Sequence, residues 1–212
     1  MNFSLTKEQQ MVQQLAREFA EKEVQPLAEE IDEQERFPIE SMKKMFKLGF
    51  FGGPFSEEYG GEGGDFVSYS ICIEEIAKVC ATTAVVLSVH ALGISVLTKY
   101  GTPEQKARYM DRLLHKDIPC FCLTEPGAGS DAAGVKTKAV RDGDYWVLNG
   151  TKMFITNAGY AGIYFIIAVT DKTKKNGMTC FIVDADNPGM RIGKKEKKCG
   201  IRGSSTCEVI LE

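Results

Sequence analysis

Histidine, tryptophan and paired cysteines are scarce in this 212-residue sequence. It has two histidines (His90 and His115), one tryptophan and seven cysteines, none of them in a CxxC pair. With only two histidines and no CxxC pair, the sequence excludes a zinc site of the usual kinds. The odd number of cysteines favours reduced thiols over a disulfide framework. Because Cys120 and Cys122 are two residues apart, a strand would place both on one face, where they suit buried packing.

The sequence also lacks an excess of charge and a long uninterrupted apolar run. Lysine plus arginine number 26 and aspartate plus glutamate 29, so the net charge of −3 gives no argument for nucleic acid or an anionic membrane. The longest apolar run, residues 84–97, is short and broken by polar residues, which predicts a buried helix. No signal peptide is visible at the N-terminus. We expect a soluble, folded protein with no nucleic-acid or membrane partner.

The first half of the chain carries helical patterns. Thr6 and Thr102 are each followed by a glutamine three residues later, which is the spacing of a capping box. Pro26 predicts a kink in the first helix. His90 lies in the apolar run, and we expect it to be a buried, hydrogen-bonded histidine rather than a ligand. These features predict an all-helical domain over residues 1–117.

Near Pro119 the apolar period changes from helical to strand-like. Residues 145–148 and 151–156 flank Asn149-Gly150, a pattern that predicts a hairpin with a two-residue turn at Asn-Gly. Several short strands without intervening helices predict an antiparallel barrel or sandwich. We therefore expect an α+β multidomain protein, in which the helical domain is followed by an antiparallel β-barrel domain over residues 118–212. Further strands are predicted at residues 163–170, 178–183 and 207–212, with a polar turn ending at Gly177.

Two segments of the second half could carry chemistry. The loop LTEPGAGSD, residues 123–131, could bind an anion through uncrowded backbone amides, or could be an ordinary glycine turn between strands. In KMFITN, residues 152–157, alternation places Phe154 and Thr156 on one face, where they could stack on a planar ring and hydrogen-bond its edge. A core phenylalanine beside an ordinary strand threonine is the alternative.

These motifs resemble, in order and spacing, those of the acyl-CoA dehydrogenases, particularly the short-chain (butyryl-CoA) members. LTEPGAGSD is followed by WVLNGTKMFITN and GIRGSSTCEVILE, and preceded by TKEQQMVQQLAREFAEKEVQPLAEEID, EEYGGEGG, EEIAK and TPEQKARYM. The resemblance covers essentially the whole chain. It implies FAD as cofactor and α,β-dehydrogenation of a short-chain acyl-CoA to a trans-2-enoyl-CoA. It also implies an electron-transferring flavoprotein as electron acceptor and a homo-oligomer, tetrameric in intact members.

The resemblance further implies which residues contact the flavin. Thr124 matches a threonine that hydrogen-bonds the pyrimidine end of the ring, and Ser130 a serine near the FAD phosphates and the acyl-CoA. Thr156 matches a threonine that hydrogen-bonds the nitrogen receiving the hydride. Phe154 stands where many relatives have tryptophan, so the stacking surface is smaller. The expected cofactor-binding residues are Phe121, Leu123, Thr124, Gly129, Ser130, Phe154, Ile155 and Thr156, with Ser130 also expected to bind substrate.

Intact family members continue into a C-terminal helical domain that carries the catalytic glutamate, and no segment of this sequence matches that domain. Glu125 is not expected to be the base, because an acid in a loop is usually solvated or paired locally. We therefore expect a fragment without a catalytic residue. A non-catalytic flavin-binding, acyl-CoA-binding or partner-docking module and a flavin monooxygenase of the same fold remain alternatives. The lack of a transit peptide suggests a cytoplasmic bacterial protein. The role of Arg202 is left open.

Overall fold

The computed structural model describes residues 4–174 and 177–212, which form a helical unit and a β unit. The helical unit comprises the chain up to Lys116 together with the segment Lys198–Ser204. The β unit comprises Asp117–Lys197 and Ser205–Glu212. A helical part followed by a β part confirms the expected fold class.

Six α-helices account for most of the helical unit in the part of the chain that the structure describes. The first two are joined by a π-helical turn, Ala20–Val24, and Pro26 lies in the first turn of the second helix, where its missing N–H is not needed. The α-helical hydrogen bonding is thus interrupted at the π turn just before Pro26, where the sequence predicted a kink. The helices are α1 (Lys7–Phe19), α2 (Gln25–Glu33), α3 (Ile39–Lys47), α4 (Phe66–Val79), α5 (Ala81–Tyr100) and α6 (Pro103–His115).

The two predicted capping boxes are confirmed. The Thr6 hydroxyl accepts from the Gln9 amide at 3.2 Å, and the Gln9 side chain accepts from the Thr6 amide at 3.0 Å. Thr102 and Gln105 make the same reciprocal pair at the start of α6. Each box satisfies two backbone donors that the first turn of a helix would otherwise leave unpaired.

Helix α5 is the core of the helical unit. It is long and apolar enough to cross a membrane by length and composition alone, but 56% of its apolar window is buried, as in the core helix of a folded domain. His90, on this helix, is fully buried with its Nε2 atom 2.6 Å from the carbonyl oxygen of Leu113. Its ring stacks on Phe51 with the centroids 4.1 Å apart. The prediction of a buried, hydrogen-bonded histidine is confirmed.

Two groups of ion pairs tie segments of the helical unit together. Glu75 on α4 is buried and accepts from Arg17 on α1 at 3.1 Å and from Lys78 at 2.8 Å. The Arg17 hydrogen bonds, with those from Lys78, lower the pKa of Glu75 to about 2. Arg202 donates from its Nε and Nη2 atoms to the Asp32 carboxylate at 2.8 and 2.7 Å. Its role, which the sequence leaves open, is to hold the segment Lys198–Ser204 against the end of α2.

Within the described residues, seven strands form one curled sheet. The strand order is β1-β4-β2-β3-β7-β6, with β5 on the other edge of β4. Most neighbours are antiparallel, but β1 and β2 both pair with β4 in the parallel direction, so the sheet is mixed. The strands are β1 (Pro119–Cys122), β2 (Lys138–Asp142), β3 (Tyr145–Thr156), β4 (Ile163–Val169), β5 (Met178–Asp184), β6 (Met190–Lys195) and β7 (Thr206–Leu211). The predicted turn ending at Gly177 falls partly on residues 175–176, outside the described residues.

Cysteines and aliphatic side chains fill the core of the β unit. Cys120 and Cys122 are both buried, as their spacing predicts, and Cys207 lies in the same cluster. Cys207, Val209 and Leu211 alternate with less buried residues along β7, which is the period-two pattern of a strand with one buried face. All seven cysteines of the chain are free thiols.

The predicted hairpin at Asn149-Gly150 is wrong. Strand β3 runs through both residues without a turn, and the reversal lies at Gly143-Asp144, between Asp142 and its cross-strand partner Tyr145. Gly143 has φ +58°, as the first central residue of a type II′ turn requires. The reason for a glycine at position 150 is instead a close approach by Thr137: a Cβ there would lie 2.5 Å from the Thr137 Oγ1 atom and 2.8 Å from its Cα atom.

The packing against Gly150 predicts a loss of stability on substitution. We expect Gly150→Ala to lower the free energy of unfolding of the β unit by about 1–2 kcal/mol, because Thr137 or the strand must move. Gly127→Ala is the matched control, since nothing lies within 4 Å of a Cβ at Gly127 and its φ is not positive. Urea unfolding followed by Trp146 fluorescence measures both variants. Equal stabilities would contradict this role of Gly150.

Candidate functional site

The β unit brings the two predicted segments side by side. Strand β1 ends at Cys122, and the chain continues through Leu123 and Thr124 along the second half of β3. The Met153 amide donates to the Thr124 carbonyl oxygen at 2.8 Å. The predicted residues Phe121, Leu123 and Thr124 are half-buried here, so they sit at the surface of the sheet rather than in its core. The structure thus places the start of the LTEPGAGSD loop, residues 123–131 and called the Thr124 loop below, directly beside the KMFITN strand.

A β-bulge re-aims Phe154 on strand β3. The register with β7 shifts between Lys152 and Ile155, and Phe154 has φ +58°. An aromatic residue at positive φ is strained, and such strain persists only where the surroundings impose it. The Phe154 side chain is 57% exposed, whereas Lys152, which plain alternation would place on the same face, is fully buried. The bulge therefore breaks the alternation on which the sequence prediction relied.

Residues around the bulge divide between the core and the surface. Ile155 is only 2% exposed and belongs to the core cluster of the β unit, so only its backbone could reach a cofactor. Thr156 is half-buried. Asn157, also at positive φ (+71°), is fully buried and donates to the Pro119 carbonyl oxygen at 3.4 Å. Its Oδ1 atom has no hydrogen-bond partner among the described residues, which leaves an acceptor unused beside Thr156.

The glycine-serine stretch forms an exposed turn at the end of this surface. Glu125 and Ala128 exchange backbone hydrogen bonds of 3.0 and 3.1 Å around Pro126 and Gly127. A Cβ at Gly127 or Gly129 would meet nothing within 4 Å, so the backbone amides stay open to a ligand. Ser130 is exposed. This geometry is compatible with anion binding by the turn.

A buried ion pair lies beneath the loop. The Lys152 Nζ atom is 2.7 Å from Glu125 Oε1, and both side chains are almost completely shielded from solvent. Burial alone would raise the pKa of Glu125, but hydrogen bonds from Lys152, Thr137 and the Lys136 amide outweigh it and hold the pKa below its usual value. Burial lowers the pKa of Lys152, partly offset by Glu125. The sequence does not reveal this pair, because its members are 27 residues apart.

The surface around Phe154 fits a planar, largely apolar group with a hydrogen-bonding edge. Phe154 offers an exposed ring face, and the half-buried hydroxyl side chains of Thr124 and Thr156 lie on the two segments that meet at the bulge. In the residues that the structure describes, no three His, Cys, Asp or Glu side chains come together as a metal site would need. The flavin ring system implied by the motifs has the shape and edge chemistry that these residues suit.

Comparison with known proteins identifies the family. Residues 6–117 match the acyl-CoA dehydrogenase N-terminal domain, and residues 120–212 match the acyl-CoA dehydrogenase middle domain. The chain belongs to the acyl-CoA dehydrogenase family. This finding confirms the resemblance drawn from the motifs.

Individual relatives place the chain near the short-chain members of the family. It is 51% identical to the short-chain specific acyl-CoA dehydrogenase of Clostridium acetobutylicum, over 100% of this chain and 57% of that protein. The butyryl-CoA dehydrogenase of Megasphaera elsdenii superimposes with a TM-score of 0.95 at 41% identity, over 100% and 57%. A chain described with the electron transferring flavoprotein of Acidaminococcus fermentans gives a TM-score of 0.96 at 41% identity, with the same coverage. The chain thus spans little more than half the length of these relatives.

Proposed function

We propose that this chain forms the N-terminal and middle parts of an FAD-dependent short-chain acyl-CoA dehydrogenase and that its β unit binds the flavin. The observation that carries the proposal is the exposed Phe154 ring on a strained bulge, beside the Thr124 loop. A soluble domain has little reason to present an aromatic ring to solvent at positive φ unless a flat group covers it. The similarity to short-chain members supports the substrate class.

In the proposed site each residue has a separate role. Phe154 stacks against the ring system, and Thr124 and Thr156 donate hydrogen bonds to its polar edge. Such fixed donors stabilise negative charge where it develops, provided that a rigid sheet holds them in place. FAD supplies the two-electron acceptor that no amino-acid side chain can provide. Gly129 and Ser130 would contact its phosphates, and Ser130 also the acyl-CoA.

We further propose that none of the 212 residues serves as the catalytic base. Glu125, the carboxylate of the flavin loop, accepts hydrogen bonds from Lys152 at 2.7 Å, from the Lys136 amide at 2.7 Å and from the Thr137 amide at 3.0 Å. A general base must be free to reach the proton that it removes, and this one is fully engaged. In our proposal the chain binds flavin and acyl-CoA but does not turn over alone.

The remaining partners are part of the same proposal. Electrons would pass from the complete enzyme to an electron-transferring flavoprotein, in keeping with the similarity to a chain described with such a protein. A homo-oligomer, which the family resemblance implies, and a cytoplasmic location in a bacterium, which the sequence suggests, complete the proposal.

Removing the Phe154 ring tests the flavin site. We expect the chain to quench FAD fluorescence on binding, and Phe154→Ala to raise the Kd for FAD about tenfold, equivalent to about 1.4 kcal/mol of lost stacking and burial. Tyr145→Ala is the matched control, because Tyr145 lies on the same strand and is 79% exposed. Phe154→Trp should bind at least as tightly as the native chain. Equal loss in the two alanine variants would refute a specific role for Phe154.

Anaerobic addition of butyryl-CoA tests the absence of a base. We expect the chain reconstituted with FAD to keep its oxidised visible spectrum when butyryl-CoA is added, because nothing in it removes the α-proton. Photoreduction of the same sample is the control that the bound flavin can accept electrons. Bleaching by butyryl-CoA would show that a carboxylate within these residues acts as base.

A further inference from the structure

We propose that Lys152 and Glu125 are positioning residues that hold the Thr124 loop in register with the Phe154 bulge. This inference rests on the proposed flavin site, whose geometry they would fix. Neither side chain reaches the exposed surface around Phe154, since both are buried beneath it. Their effect on a ligand would therefore act through the backbone that carries Thr124.

The Lys152 ammonium holds the residues on both sides of Thr124. Its Nζ atom lies 2.7 Å from the Glu125 carboxylate and donates to the Leu123 carbonyl oxygen at 3.2 Å. One residue further along β3, the Met153 amide donates to the Thr124 carbonyl oxygen at 2.8 Å. Three consecutive loop residues are thus tied to two consecutive strand residues, and the bulged residue Phe154 comes next.

The Glu125 carboxylate extends this connection to the other end of the loop. Its Oε2 atom accepts from the Lys136 amide at 2.7 Å, and Oε1 accepts from the Thr137 amide at 3.0 Å. Thr137 packs directly on Gly150 of β3. The exposed turn between Glu125 and Lys136, which carries Gly129 and Ser130, is therefore anchored at both ends by one carboxylate.

A purely structural role accounts poorly for a charged pair at this place. Replacing a buried ion pair with apolar residues of similar size is often neutral or stabilising, so the pair is a weak device for stability. The pair instead fixes the orientation of the loop, because charge-assisted hydrogen bonds constrain the angles as well as the distances between the loop and the strand. Donors aimed at a ligand edge need such precision, and the strained Phe154 conformation lies two residues from Lys152.

A charge-free double variant separates positioning from folding. The single variants Lys152→Met and Glu125→Gln each leave one buried charge alone, whereas the double variant leaves none. We expect urea unfolding to show the double variant close to the native chain in stability while its Kd for FAD stays at least tenfold higher. Ile163→Ala, which would leave a cavity beside the buried strand β4, is the control for a loss of stability that does not involve the ion pair. We expect it to lose stability but to bind FAD within about threefold of the native value.

A readout without flavin tests the same inference on the chain alone. We expect amide hydrogen exchange at Met153, which donates to the Thr124 carbonyl oxygen, to be at least tenfold faster in the double variant than in the native chain. A double variant with native FAD affinity and native protection would overturn the positioning role. If the native chain binds no FAD, the proposed function fails. The exchange rates then decide the inference alone: faster exchange supports the tie between loop and strand, and unchanged exchange rejects it.

Discussion

Replacing Lys152 with methionine is expected to destabilise the β unit by about 3–5 kcal/mol, which is the cost of leaving one member of a buried ion pair alone. In the Lys152→Met chain the Glu125 carboxylate would keep its bonds to Lys136 and Thr137 but lose the only cation within reach in the described structure. The carboxyl would then take up a proton more readily, so the loss should shrink at low pH. Urea unfolding at pH 7.5 and pH 5, followed by Trp146 fluorescence, measures both effects.

An exposed pair between the end of α1 and the π-helical turn that follows it is the control for charge removal as such. Lys22 and Glu18 lie 3.2 Å apart at i, i+4 spacing with both side chains largely exposed. We expect Lys22→Met to leave stability unchanged within error, because water screens such a pair. If Lys152→Met were no more harmful than Lys22→Met, the Lys152 ammonium would have to be solvated in solution, and the buried pair would not exist.

The parts of the fold that the sequence predicted depend on neighbours in the chain. The capping boxes of Thr6 and Thr102 need a partner three residues away, and the alternation of Cys207, Val209 and Leu211 needs only one buried sheet face. Local physics also predicts that His90, within an apolar helix, is buried. The family motifs then located the loop and the strand that lie together in the β unit.

Features set by distant residues could not be predicted in the same way. Asn149-Gly150 has the composition of a hairpin turn, yet the glycine is required by the close approach of Thr137, which lies just before β2. Strict alternation placed Lys152 and Phe154 on one face, but the bulge buries the first and exposes the second. In both cases a tertiary contact outweighs a local preference, and the second of them, the bulge at Phe154, lies in the candidate site.

Acid is expected to destabilise the helical unit through His90. Burial lowers the pKa of this histidine to about 3, partly opposed by its hydrogen bond to Leu113, while an unfolded chain titrates near 6.5. Between these values the unfolded state binds more protons, so the stabilising contribution of neutral His90 is complete above pH 6.5 and is lost as the pH falls towards 3. The loss should reach about 3 kcal/mol between pH 7 and pH 4. Urea unfolding followed by ellipticity at 222 nm measures it.

Comparing the native chain with His90→Gln separates the contribution of His90 from that of the carboxylates, which also become protonated in acid. His90→Gln keeps a side-chain N–H donor but cannot titrate, so its stability should depend less on pH than that of the native chain, by up to about 1.4 kcal/mol per pH unit below 6.5. His115→Gln is the control, because His115 is exposed at the end of α6 beside Asp111. It should retain the full acid sensitivity. Parallel pH profiles for native chain and His90→Gln would mean that the His90 ring accepts a proton without leaving its place between Phe51 and Leu113.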